Sequence, residues 1–245
     1  MIALLADIHG NREALSACLD DAARRNVAHY VFLGDLVGYG ADPGWVTDCV
    51  MDRVARGATA IRGNHDAAAA GATVSMERTA AEAMVWTRGQ LDATQRNFLE
   101  SLPLSTARDE RLYVHASADE PDAWHYVVNA ARARKSLMAT PLQQTFCGHV
   151  HRPELYFLSR TGKLAEFTPS AGVAIPLLRG RRWLAVLGAV GQPRDRNPAA
   201  CYGLLDEAEN TLTYVRVPYD VASAARKIRT SGLPDVLAAR LEQGY

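Results

Sequence analysis

Short apolar runs and helical stretches alternate over the opening part of the chain, the pattern of an α/β layer fold. Residues 2–6 are an unbroken apolar run, 29–33 form a second and 58–61 a third, and each is expected to be a strand. Between them, residues 11–25 place Ala14, Leu15, Cys18, Leu19 and Ala22 at three-four spacing, and residues 44–56 do the same with Trp45, Val46, Cys49, Val50 and Val54. That spacing gives each of two helices one apolar stripe. Residues 76–102 keep a helical pattern, which Gly89 is expected to divide into two helices before Pro103. Beyond Arg111, short β-like runs take over at 112–114, 145–147, 155–158, 183–187, 201–205 and 212–217, separated by Gly, Pro and Asn. The change predicts a second, more antiparallel sheet. Residues 221–242, broken by Gly232 and Pro234, are expected to form two short helices. No repeat or linker divides the chain, so one domain over 1–245 is expected.

Composition narrows the class. With 48% hydrophobic and 22% charged residues the chain matches a folded globular protein rather than a disordered or fibrous one. Lys plus Arg number 27 and so do Asp plus Glu, which leaves no net field to attract a polyanion and no strong nucleic-acid signal. No apolar run is long enough to span a membrane, and the opening run meets Asp7 and His9 before a signal-peptide core can form. A cytoplasmic protein is expected, with its four scattered cysteines reduced and no disulfide framework.

The polar residues that interrupt this pattern are not random. Asp7 and His9 follow the first expected strand, Asp35 the second, and Asn64 and His65 the third; His115 follows 112–114, and His149 and His151 follow 145–147. Ligand sites of open α/β sheets lie beyond the carboxyl ends of the strands, so all eight side chains are expected on one rim. Asp7 with His9, and His149 with His151, are two residues apart, a spacing that aims both side chains to one side of extended backbone. Gly34, Gly63 and Gly148 precede Asp35, Asn64 and His149, allowing sharp turns and close backbone approach. Carboxylate, imidazole and amide donors without thiolate suit Mn, Fe, Zn, Co or Ni. Seven donors exceed the need of one ion; if Asp35 bridges, each of two divalent or trivalent ions receives four, leaving room for water and substrate oxygens. His65 is then free to act as general acid for the leaving group or as a donor to the charge developing on phosphorus.

In order, Asp7-Ile8-His9, Gly34-Asp35, Gly63-Asn64-His65-Asp66, His115 and Gly148-His149-Val150-His151 resemble the dispersed signature of the calcineurin-like metallophosphoesterases. The resemblance implies a four-layer α/β/β/α double β-sandwich. It also implies one metal held by Asp7, His9, Asp35 and His151, a second held by Asp35, Asn64, His115 and His149, and in-line attack by a metal-bridging hydroxide. Residues 34–43 and 188–195 look like the compact bacterial subgroup similar to diadenosine tetraphosphatases. Three positions depart from the pattern. Gly38 stands where one branch carries an Asp that supports the catalytic His, so Asp66 or Asp42 is expected to orient His65. Ala116 replaces a usual Gly, and Ala189 replaces a serine that could have met substrate.

Tyr39, Asp66, His125 and Arg194 are candidate substrate contacts, and the basic runs 132–135 and 179–182 are read as solvated surface charge. His29 is expected to be an ordinary half-buried or surface histidine. The expected function is hydrolysis of phosphate mono- or diesters, with a small-molecule or nucleotide ester, a dinucleoside polyphosphate or a phosphoprotein as substrate. The alternative is a metal-binding scaffold or sensor that uses the same fold for partner docking.

Overall fold

A computed structural model describes residues Met1–Tyr245. Its first strand, β1 (Ile2–Leu5), shows why the opening run has no polar position. Ile2, Leu4 and the following Ala6 pack between two sheets, whereas Ala3 and Leu5 pack outward among helices. Both faces are covered, so period-two alternation has no polar side to display. β2 (His29–Phe32) and β3 (Thr59–Ala60) extend the sheet in parallel. The connecting helices α1 (Arg12–Arg24) and α2 (Pro43–Ala55) pack on its outer face. The Asn11 side chain accepts the Ala14 N–H to start α1, which buries Ala14, Leu15, Cys18, Leu19 and Ala22, the five positions its spacing predicts.

The later strands do form a second sheet, but not all of them enter it, which corrects the sequence expectation in part. β4 (Ser105–Arg108), β5 (Arg111–Val114), β6 (Gln144–Cys147), β7 (Pro153–Ser159), β8 (Leu164–Phe167) and β10 (Arg181–Leu187) make the second sheet, in the order β4-β5-β6-β10-β7-β8. β9 (Ala174–Pro176), β11 (Ala200–Asp206) and β12 (Thr211–Val217) return to the first, giving β3-β2-β1-β11-β12-β9. β11 runs antiparallel to β1 with Ile2 opposite Leu205. Each sheet therefore has a parallel part and an antiparallel part, and β5, β6 and β10 are parallel within the second.

Tyr113, Phe146, Trp183, Leu187, Leu205 and Tyr214 fill the space between the sheets together with Ile2 and Leu4. On the far face of the second sheet, Ala133 and Leu137 of α6 (Ala130–Met138) pack against Val114, Cys147, Tyr156 and Leu184. The layers are thus α/β/β/α.

α3 (Asn64–Ala69), α4 (Arg78–Gln90) and α5 (Ala93–Ser101) follow β3. Gly89 lies inside the last turn of α4 and does not divide the pair. The division falls at Asp92, which accepts the Gln95 N–H at 2.8 Å while Gln95 accepts the Asp92 N–H at 3.1 Å. A reciprocal cap of this kind starts a helix decisively, whereas a helical glycine costs only about 1 kcal/mol relative to alanine. α7 (Val221–Thr230) and α8 (Asp235–Gln243) form the expected pair and pack with Ala80, Ala83 and Tyr39. No helix is long and apolar enough to cross a membrane. The four cysteines are free thiols.

Candidate metal centre

The turns after β1 and β2 are laced together before any side chain contributes. Asp7, His9 and Gly10 donate their backbone N–H groups to the carbonyls of Gly34, Asp35 and Leu36. Space is short here. A Cβ on Gly34 would lie 2.8 Å from His115 Nδ1, one on Gly63 would overlap the Asp35 carboxylate, and one on Gly148 would overlap that of Asp7. Only glycine fits at these three approaches. Asp7, His9, Asp35, His149 and His151 all have φ between +48° and +66°. Left-handed backbone costs a non-glycine residue on the order of 1 kcal/mol, and the surrounding fold must supply it.

The result is a buried cluster. Asp7, His9, Asp35, His115, His149 and His151 are each 5% exposed or less. Asp7, His9 and His151 form one group of converging donor atoms, and Asp35, His115 and His149 form another. Asp35 Oδ2 lies 3.6 Å from His9 Nε2 and 3.3 Å from His115 Nε2, between the two groups. Asp7 Oδ1 is 3.4 Å from His151 Nε2, and its carboxylate accepts the His149 N–H. His65 also converges with His9 and Asp35, and its N–H donates to Asp35 Oδ1 at 2.8 Å. Asn64 sits between Gly63 and His65, and its buried Oδ1 has no hydrogen-bond partner.

Three imidazoles are oriented from behind. His9 Nδ1 meets the Val37 carbonyl at 3.1 Å, His115 Nδ1 that of Leu33 at 2.7 Å and His151 Nδ1 that of Gln192 at 2.7 Å. A carbonyl only accepts, so Nδ1 carries the proton and Nε2 is turned inward. His9 and His151 therefore face each other with Nε2 atoms 3.0 Å apart. Burial pushes both well below the usual imidazole range, so both are neutral and two lone pairs meet. Such a contact fits a cation held by both nitrogens. Asp7 points the same way: burial pushes it up to about 8 in the absence of an ion. Asp35 is also opposed by burial, yet His115, His65 and His9 hold it well below the usual carboxylate range. Burial works against a charged His115 too, but Asp35 and Asp7 raise it to about 9.

The remaining candidates divide. Tyr39 packs against His9 and His65, with ring centroids 4.6 Å away in each case, and Arg194 stands over it at 5.7 Å. Arg194 also grips Gln192 Oε1 and donates its backbone N–H to the His151 carbonyl. Asp66 spends its carboxylate on the N–H groups of Leu36, Val37 and Gly63, and Asp42 pairs with Lys227 at 2.7 Å. Neither carboxylate bonds the His65 ring, contrary to expectation. His125 reaches Glu120 at 3.2 Å, outside the converging groups.

Its neighbours Trp124 and Tyr126 are the residues that sequence reasoning misses: Tyr126 lies flat on His149 at 3.9 Å, and Trp124 is edge-on to His115 at 5.9 Å. Their spacing of two on either side of His125 is the available signal. Of the basic run 179–182, Arg181 lies over Phe157 and Arg182 donates to the Thr140 carbonyl, at the opposite ends of the strands from the cluster.

The family model for the calcineurin-like phosphoesterase superfamily domain matches residues 1–210. The chain belongs to that superfamily. A metallophosphoesterase from Sphaerobacter thermophilus is 34% identical, with 100% of this chain and 98% of that one covered and a TM-score of 0.87. An uncharacterized protein of Methanocaldococcus jannaschii is 32% identical, over 100% of this chain and 98% of its own length. A Pyrococcus horikoshii OT3 protein, 19% identical with 100% and 99% covered, shares the fold at a TM-score of 0.80. This calcineurin-like protein is thus a metal-dependent phosphoesterase, acting on phosphate esters with divalent metal ions. The cluster at the strand ends has the donor chemistry that such ions need.

Proposed function

We propose that this phosphoesterase is dinuclear: Asp7, His9, Asp35 and His151 hold one ion, and Asp35, Asn64, His115 and His149 hold the other. The 3.0 Å approach of two neutral Nε2 atoms carries the proposal, because it is repulsive unless a cation lies against both. The unpartnered Asn64 Oδ1 and the position of Asp35 between the two groups support it. The donor set suits Mn, Fe, Zn, Ni or Co. When bound, the ions would supply an acidified water and positive charge against the phosphoryl oxygens.

The chain's own residues do the rest. Val37, Leu33 and Gln192 fix three imidazole orientations through their carbonyls, so the donor geometry exists before substrate arrives. Asp35 spans both groups and sets their separation. His65 has its Nδ1 over Gly38, which leaves Nε2 to donate to the departing oxygen. Arg194, beside Tyr39 and Gln192, places a guanidinium near His151 for a non-bridging phosphoryl oxygen. Trp124 and Tyr126 give the opposite side an aromatic wall, which suits an aryl or nucleotide leaving group. Small phosphate mono- or diesters, nucleotide esters among them, are the proposed substrates.

The test is reconstitution of metal-free protein with Mn, Fe, Zn, Ni or Co, followed by metal analysis and hydrolysis of para-nitrophenyl and bis-para-nitrophenyl phosphate. Two ions per chain and turnover of at least one ester are expected. One tightly bound ion at saturation, or no turnover with any metal, overturns the proposal.

A further inference from the structure

His65 differs from its neighbours in how it is held. His9, His115 and His151 each anchor Nδ1 on a backbone carbonyl, whereas Nδ1 of His65 is buried and bonds nothing. Packing fixes the ring instead. Tyr39 covers one side at 4.6 Å between centroids, His9 meets it edge-on at 4.8 Å, and a Cβ on Gly38 would overlap Nδ1. No side chain, an aspartate included, fits at position 38 with His65 where it is.

Tyr39 is itself locked. It is only 7% exposed, lies in left-handed backbone at φ +63°, and has Gly38 and Gly40 on either side. Arg194 stands over its ring, and Ile228 of α7 and Leu237 and Leu241 of α8 share its apolar cluster. α7 and α8 lie beyond the family-matched residues 1–210. They are nevertheless tied to both loops that frame the ring. Lys227 of α7 pairs with Asp42 at 2.7 Å, three residues after Tyr39, and with Glu13 at 2.6 Å. The Gly244 carbonyl accepts the Arg196 N–H at 2.6 Å, two residues after Arg194.

We infer that Tyr39, backed by Arg194 and the α7–α8 pair, is the positioning residue for His65 and does by packing what a hydrogen-bonded carboxylate would do. This rests on His65 serving as donor to the leaving oxygen. Fixing a ring between two packed surfaces holds Nε2 on line for a departing oxygen, and loosening it penalises poor leaving groups first.

The experiment compares kcat on phenyl and para-nitrophenyl phosphate esters for metal-loaded wild type, His65→Ala, Tyr39→Ala and Tyr39→Phe. His65→Ala is expected to lose about a hundredfold on the phenyl ester and far less on the nitrophenyl ester. Tyr39→Ala should lose about tenfold or more on the phenyl ester and less than about threefold on the nitrophenyl ester, with metal content intact, whereas Tyr39→Phe restores the phenyl rate. Equal losses on both esters, or none, in Tyr39→Ala overturn the inference while leaving the donor reading standing. A His65→Ala variant without leaving-group preference overturns the donor reading, and the inference falls with it. Should Tyr39→Ala lose metal or fail to fold, Leu241→Ala thins the support behind the ring. A smaller loss confined to the phenyl ester is expected there, and its absence overturns the inference.

Discussion

The two halves of the cluster are built differently. On the His9 and His151 side, Tyr39, Gln192, Ile228 and Leu241 pack around His9 and leave beside it a gap of only about 10 Å³, at the lower limit for one water molecule. On the His115 and His149 side, the cover is a loop whose Tyr126 is half exposed and whose Glu120 is largely in solvent. One half is walled by helices and the other is open at a loop. Rigid support belongs where geometry must not change, and an adaptable loop belongs where different esters must enter. The contrast assigns positioning to the first half and substrate entry to the second.

The largest effect should come from the residue common to both halves. Asp35→Asn is expected to lower turnover by about a thousandfold, a loss that excess metal does not restore, because it weakens both groups at once. Steady-state kinetics with metal analysis checks this; loss of one ion with activity retained would separate the halves entirely. Next, chelator-driven metal release should be biphasic. The fast phase is assigned to the open half and the slow phase to the walled half, so stopped-flow release from His149→Ala should lack the first and from His151→Ala the second. A single phase in the wild type would erase the contrast.

Smaller again, Tyr126→Ala should raise KM for aryl esters about tenfold with kcat nearly unchanged, since an aromatic contact contributes about 0.5–1.5 kcal/mol. An equal change with an alkyl ester would show that Tyr126 is not an aromatic platform.

The smallest effect is on stability. In chelated protein, burial raises Asp7 to about 8 and Asp66 to about 7, and, against burial, the neighbouring acids raise His115 to about 9. A raised folded-state pKa means that the folded state holds protons the unfolded state has released, so stability falls as pH rises from 6.5 toward 9. The neutral His9 and His151 add nothing in that window, because they are deprotonated in both states above it. The Tm of chelated protein should therefore fall by a few degrees over this range, while that of loaded protein holds; parallel curves would place the protonation elsewhere.

Much of this architecture is legible in the chain because the signals are local. The stripe of α1, the two-faced burial of β1 and the polar residues at strand ends report a segment's own surroundings. Sheet membership is not local. β11 joins β1 through contacts such as Ile2 with Leu205, and nothing in either segment names the other. α6 reads as a basic run because only Ala133, Ser136 and Leu137 are buried on it, although Asn129 caps its start. Carboxylates suggest themselves as the support of His65 because charge is easy to see in a sequence, whereas packing by Tyr39 depends on helices almost two hundred residues away. Asp66 stands next to His65 but serves the backbone instead, since three N–H groups occupy its carboxylate.

The left-handed backbone at Asp7, His9, Asp35, His149 and His151 has a consequence for anyone who redesigns this protein toward another metal. Aspartate, asparagine and histidine tolerate that conformation better than most residues, whereas glutamate carries no such preference and β-branched side chains fit worst. A productive library would vary those five positions within the tolerant trio and place any longer or softer donor at Asn64 or His115, whose backbones carry no such restriction.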